Sequence, residues 1–160
     1  MLDGDDRRGL FANVAVSVGI AALANGVLAA FGLLRSPSEI WPAFAPPGHT
    51  IGAIWVGLFA AMGAARWHVV RRRDAVSPVN ARAIVVLIAL CLAYPFYTHA
   101  VGGHPIELAG NVVTFGVAVW IAVRIRRSVL PTALVSSVAA WVAFATVLVA
   151  ELVRLNGWST

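Results

Sequence analysis

The sequence predicts an all-α fold: an integral membrane bundle of five transmembrane helices, forming a single domain over residues 1–160. Three observations carry this. Of the residues, 60% are hydrophobic and 12% charged, about half the charged share of an ordinary soluble domain. A chain this short keeps a large surface, and burial alone does not hide so much apolar area from water. Five apolar runs approach the roughly 20 residues a helix needs to cross a hydrocarbon core of about 30 Å, and only short connections separate them.

The first run covers residues 10–34. Ala22-Leu23-Ala24 has the small-x-small form of a signal cleavage site, but the apolar run continues through Gly26 to Leu34, so cleavage is not expected. The second run, 51–70, has Arg66 and His68 near its end, and the third is 83–101. The fourth, 106–123, has the shortest uncharged stretch and starts beside Glu107. The fifth, 128–152, is uncharged from Ser128 to Ala150. Cys91, the single cysteine, lies within the third run and permits neither an internal disulfide nor a cysteine-based metal site.

All twelve basic residues are arginine, set against seven acids for a net charge of +5. They do not form the stripe on a soluble module that phosphate-backbone binding requires, so no nucleic-acid partner is expected. Arg66, Arg71, Arg72, Arg73 and Arg82 cluster around the junction of runs two and three, and Arg124, Arg126 and Arg127 around that of runs four and five. The stretch from His99 to Ile106 has none. Positive charge beside spanning segments marks the cytoplasmic side. That puts the N-terminus, with Arg7 and Arg8, inside, and the loop from Arg35 to Thr50 and the C-terminus outside; which membrane stays open. Trp67 and Trp120 lie beside these arginines, as interfacial anchors do.

Within the second run, Trp55, Phe59 and Met62 recur at i, i+4 and i+7 and share one helix face. That face either packs on neighbouring helices or lipid, or forms an aromatic and thioether wall for a ligand. Gly52, Gly63, Ala60 and Ala64 supply small residues for close helix contact. Ahead of it, Trp41 to Thr50 carries Pro42, Pro46 and Pro47 next to Trp41 and Phe44. The prolines hold the chain extended and stiff, as a lid or a plain connector.

This order of features resembles the translocator protein or tryptophan-rich sensory protein family (TspO/MBR), as a divergent bacterial-type member. The family's first-loop pattern K-P-x-W-x-P-P is met by Pro42, Phe44, Pro46 and Pro47, with Trp41 in the place of lysine and Phe44 in that of tryptophan. Its W-x-x-L-[YF]-x-x-M-G-x-A is met by Trp55, Leu58, Phe59, Met62, Gly63 and Ala65. Trp141, Phe144, Ala145, Leu148, Leu155 and Asn156 follow its fifth helix, where Ser137 and Val138 replace a Pro-Tyr pair and Val149 an asparagine. Helix three keeps only Tyr94-Pro95-Phe96-Tyr97 of the family's aromatic segment. The resemblance implies a cavity between five helices, closed by the first loop, that binds a tetrapyrrole such as protoporphyrin IX or haem for sensing or transport, with no cofactor required. The implied ligand-binding residues are Trp41, Phe44, Pro46, Pro47, Trp55, Phe59, Met62, Trp141 and Phe144. Helix five has no tyrosine for a sterol motif, so sterol binding is not carried over.

A second set of polar residues comprises His49, His99, His104, Glu107 and Glu151. Each is expected to be solvated near the interface, and a haem-axial or metal role is the alternative. Asn13, Ser17, Asn25 and Asn111 are expected to form interhelical hydrogen bonds. No Ser/His/Asp set, carboxylate pair or phosphate-cradling glycine loop is present, so an enzyme is not expected. Two other readings stay open. One is a non-binding assembly subunit, homodimeric or otherwise, using the small faces of Gly19, Gly26 and Gly32. The other is an enzyme degrading a bound tetrapyrrole through redox-active tryptophans.

Overall fold

The computed structural model describes residues 7–31, 40–72 and 75–158. They form five helices: α1 (Arg7–Ala30), α2 (Gly48–Val70), α3 (Ser77–Val101), α4 (His104–Arg124) and α5 (Val129–Asn156). All five are long and apolar enough to cross a membrane. Backbone polar groups have no partner in hydrocarbon, so bonding each span internally as helix is the available solution for chains of this composition.

Helices α1 to α4 start earlier than their apolar runs, and α5 starts one residue later. Helix α2 begins at Gly48, directly after Pro47, because proline is compatible with a helix entry where its missing N–H would have no partner. Helix α3 begins at Ser77 rather than Ala83, with Pro78 in its first turn. Arg82 ends the apolar run but not the helix, since the hydrogen-bond ladder continues past the hydrocarbon boundary. Helix α4 begins at His104, two residues before the apolar run, after a tight turn in which Gly102 and Gly103 both take positive φ, 73° and 82°. Only glycine adopts that backbone without strain. The expected end of the first run at Leu34 lies outside the described residues.

The helices pack in the order α1, α2, α5, α4, α3, with α3 returning to α2 and touching α1. Helix α2 therefore has three neighbours, which explains why Trp67 is buried at 5% exposure instead of anchoring at the interface as expected. Arg71 stacks over its ring at 4.4 Å. Trp120, on the outer side of α4, is 48% exposed with Arg124 above its ring, the arrangement of an interfacial anchor. Large side chains such as Phe11, Leu23 and Val147 point outward, where lipid is the matching solvent.

Helix α1 meets α2 along Gly9, Asn13, Ser17 and Ala21, spaced by four so that they share one face. A Cβ on Gly63 would lie 2.6 Å from the Asn13 carbonyl oxygen and 2.8 Å from Ser17 Oγ, so the two backbones approach closely. Arg66 Nη1 donates to Asn13 Oδ1 at 2.6 Å, and Asn13 Nδ2 donates to the Gly9 carbonyl at 2.8 Å. Asn13 thus forms an interhelical bond as expected. Asn25 is exposed and does not point into the bundle, because it falls off the stripe that faces α2. Gly19 and Gly26 also point away from the other helices, and Gly32 lies outside the described residues.

Candidate functional site

The first loop, the N-terminus of α2, the turn between α3 and α4 and the C-terminus of α5 come together at one end of the bundle. Ile40 is tied there by Asn156: the Ile40 amide donates to Asn156 Oδ1 at 2.8 Å, and Asn156 Nδ2 donates to the Ile40 carbonyl at 2.9 Å. The amide side chain thereby pairs with backbone much as a neighbouring strand would. Asn156 matched a motif position without an assigned role, since its partner is more than a hundred residues away.

From this clamp the loop turns back through an Ala45 N–H bond to the Pro42 carbonyl at 2.9 Å, and Pro42 is buried beneath it. Trp41 and Pro46 are half-buried and Pro47 is exposed. Phe44 is half exposed, with its ring edge-on to Phe144 of α5 at 6.3 Å. Phe144 stacks in turn on Trp141 at 5.3 Å, giving a run of three rings from the loop into α5. Trp55 and Phe59 form a second pair on α2 at 5.9 Å. Trp55 and Trp141 both pack at half-burial against one apolar cluster that also holds Phe59 and Met62. Phe59 and Met62 are buried, at 4% and 0% exposure, so the aromatic surface nearest the loop is that of Phe44, Trp55, Trp141 and Phe144.

Among the polar residues, His49 and His99 are exposed as expected. His104 is not: it starts α4 at 2% exposure, where the glycine turn folds it inward, and its Nδ1 lies 3.1 Å from Glu107 Oε2. His104 Nε2 is buried without a protein partner, whereas Asn111 hydrogen-bonds the Tyr94 side chain of α3, the interhelical bond expected of it. His104 and Asn111 are seven positions apart and share the inward face of α4. Between them, Gly110 lies against the Tyr97 hydroxyl, so this helix contact tolerates no side chain without a shift of the tyrosine. Glu151 is held at the exposed rim by Arg154, whose Nε donates to Oε2 at 2.7 Å. Among the described residues no group of three or more His, Cys, Asp or Glu side chains could hold a metal, and Cys91 is buried in the core.

The family model for TspO/MBR matches residues 13–155, nearly the whole chain. The chain belongs to the TspO/MBR family. Comparison with curated proteins gives no match. As a TspO/MBR protein with five apolar spanning helices it is an integral, multi-pass membrane protein whose surroundings are a lipid bilayer.

The Asn156 clamp fixes the start of the loop whose Phe44 lies against Phe144. Losing a hydrogen-bonded pair typically costs about 1–2 kcal/mol. Asn156→Leu is therefore expected to raise amide hydrogen exchange at Ile40 roughly five- to thirtyfold. Exchange measured by mass spectrometry on the detergent-solubilised protein checks this, with the α3 amides as the unchanged reference.

Proposed function

We propose that this TspO/MBR protein binds a tetrapyrrole-class ligand, protoporphyrin IX or haem, at the loop-covered end of the bundle, as a sensor or carrier and without turnover. The observation that supports this most is the ring run Phe44–Phe144–Trp141 leading from the clamped loop, with Trp55 and Trp141 packed on one apolar cluster. Flat macrocycles stack on such rings with about 0.5–1.5 kcal/mol per good pair beyond area burial. The buried, unpartnered His104 Nε2 supports it further. Buried polar atoms are normally bonded, and with Nδ1–H directed at Glu107 the Nε2 atom is an acceptor that a ligand pyrrole N–H suits.

In this reading the arginine-bearing end faces the cytoplasm, which places the N-terminus inside and the C-terminus with its loop outside. No cofactor or metal is needed, and a homodimer is compatible with the outward faces of Gly19 and Gly26. Titration of the purified protein with protoporphyrin IX tests the reading. The expected result is saturable quenching of tryptophan fluorescence with a shifted Soret band. No saturable response, together with co-purification of a stoichiometric membrane partner, would instead favour an assembly subunit.

A further inference from the structure

The opposite end of the bundle contains a cavity of about 350 Å³ where the turn between α2 and α3 meets the turn between α4 and α5. Arg72, Arg124, Arg126 and Arg127 line it, together with Ser77 and Asn80 from the first turn of α3. Its lining includes no carboxylate among the described residues. We propose that this arginine cup is a binding site for a phosphate-bearing anion, the headgroup of an anionic phospholipid or a soluble phosphate.

Four features carry the assignment. Guanidinium groups present planar pairs of donors that fit phosphate oxygens bidentately, and four of them line this cavity from two segments, Arg72 from one and Arg124, Arg126 and Arg127 from the other. Arg124 is pre-positioned: its Nε donates to Asn80 Oδ1 at 3.1 Å and its guanidinium rests over Trp120 at 5.0 Å. That bond takes one of its five donors. Helix α3 starts at the cavity and its N-cap residue, Val76, has no side chain able to cap it, so the positive dipole end adds to the charge. The floor is apolar, with Val69 and Ile125 both buried, which suits a group that enters from the bilayer interface. Basic pockets between spanning helices are of the kind that hold acidic headgroups.

The test uses the full chain in phosphatidylcholine nanodiscs. One arm adds spin-labelled phosphatidylglycerol and reads the immobilised fraction; the other titrates inorganic phosphate and reads displacement of that lipid. Arg126→Gln with Arg127→Gln removes two exposed cup charges, and Arg7→Gln with Arg8→Gln removes two exposed charges outside the cup. Because the cup pair lines the cavity and the α1 pair does not, the cup pair should weaken lipid retention about tenfold or more, and the α1 pair less than about twofold. Displacement by inorganic phosphate would identify a soluble phosphate as the occupant, and retention despite it the lipid headgroup. Equal losses in both double variants, or no saturable immobilisation and no phosphate response in the unaltered protein, would overturn the site.

Discussion

The proposed protoporphyrin IX binding is expected to weaken about 10- to 100-fold when Trp55→Ala and Trp141→Ala are combined. Each indole contributes stacking of roughly 0.5–1.5 kcal/mol in addition to buried area, and 1.4 kcal/mol corresponds to a tenfold change in affinity. The two residues enter from different helices, α2 and α5, so neither replaces the other's contact face. Both lie at half-burial on the core cluster, so truncation also loosens packing. Two further variants separate these effects. Phenylalanine at both positions keeps an aromatic face and should recover most of the affinity. Trp120→Ala, on a half-exposed indole at the arginine end, should leave the titration unchanged. Fluorescence and absorbance titrations, with circular dichroism to confirm helicity, provide the measurement.

Gly63→Val is expected to cause the largest loss of stability of any single substitution considered. The new Cβ would meet the Asn13 carbonyl oxygen at 2.6 Å, and a helix carbonyl cannot rotate aside as a side chain can. Helix α1 must move away, which also pulls Asn13 Oδ1 from Arg66. Overpacking of this kind typically costs about 1–3 kcal/mol. Ser17→Gly should not restore stability, because it relieves the 2.8 Å contact with Ser17 Oγ but not the one with backbone. Gly57→Ala on the same helix, where nothing lies within 4 Å, should be neutral or slightly stabilising. Thermal unfolding in detergent distinguishes these outcomes.

These two predictions also mark how far the sequence could be read. The five spans follow from length and apolarity, which are local properties, so the fold was legible. The face of Trp55, Phe59 and Met62 was legible too, because helical spacing places them together. Depth around α2 was not, since it depends on which helices surround it. With three neighbours, α2 buries Phe59, Met62 and Trp67 and leaves Trp55 at half-burial. Gly63 could be read as a packing residue, but its partner Asn13 is fifty residues away and no spacing rule connects them. His104 was expected to be solvated because it precedes the apolar run; the Gly102–Gly103 turn, with both φ values positive, carries it into the bundle. The Asn156 clamp and the arginine cup likewise depend on contacts between distant segments.

The proposed tetrapyrrole site is tested most directly by the damage that protoporphyrin IX would do there when illuminated. Bound protoporphyrin IX generates singlet oxygen, which oxidises side chains close to the macrocycle, and peptide mass spectrometry then maps the modified tryptophans. The six tryptophans span the bundle, with Trp41, Trp55 and Trp158 on the loop side, Trp141 at the middle of α5, and Trp67 and Trp120 on the arginine side. Saturable oxidation of Trp55 and Trp141, suppressed by a non-photoactive metalloporphyrin competitor, is the predicted result. Oxidation concentrated at Trp67 and Trp120, or spread evenly over both ends and insensitive to the competitor, would contradict a tetrapyrrole site beneath the first loop.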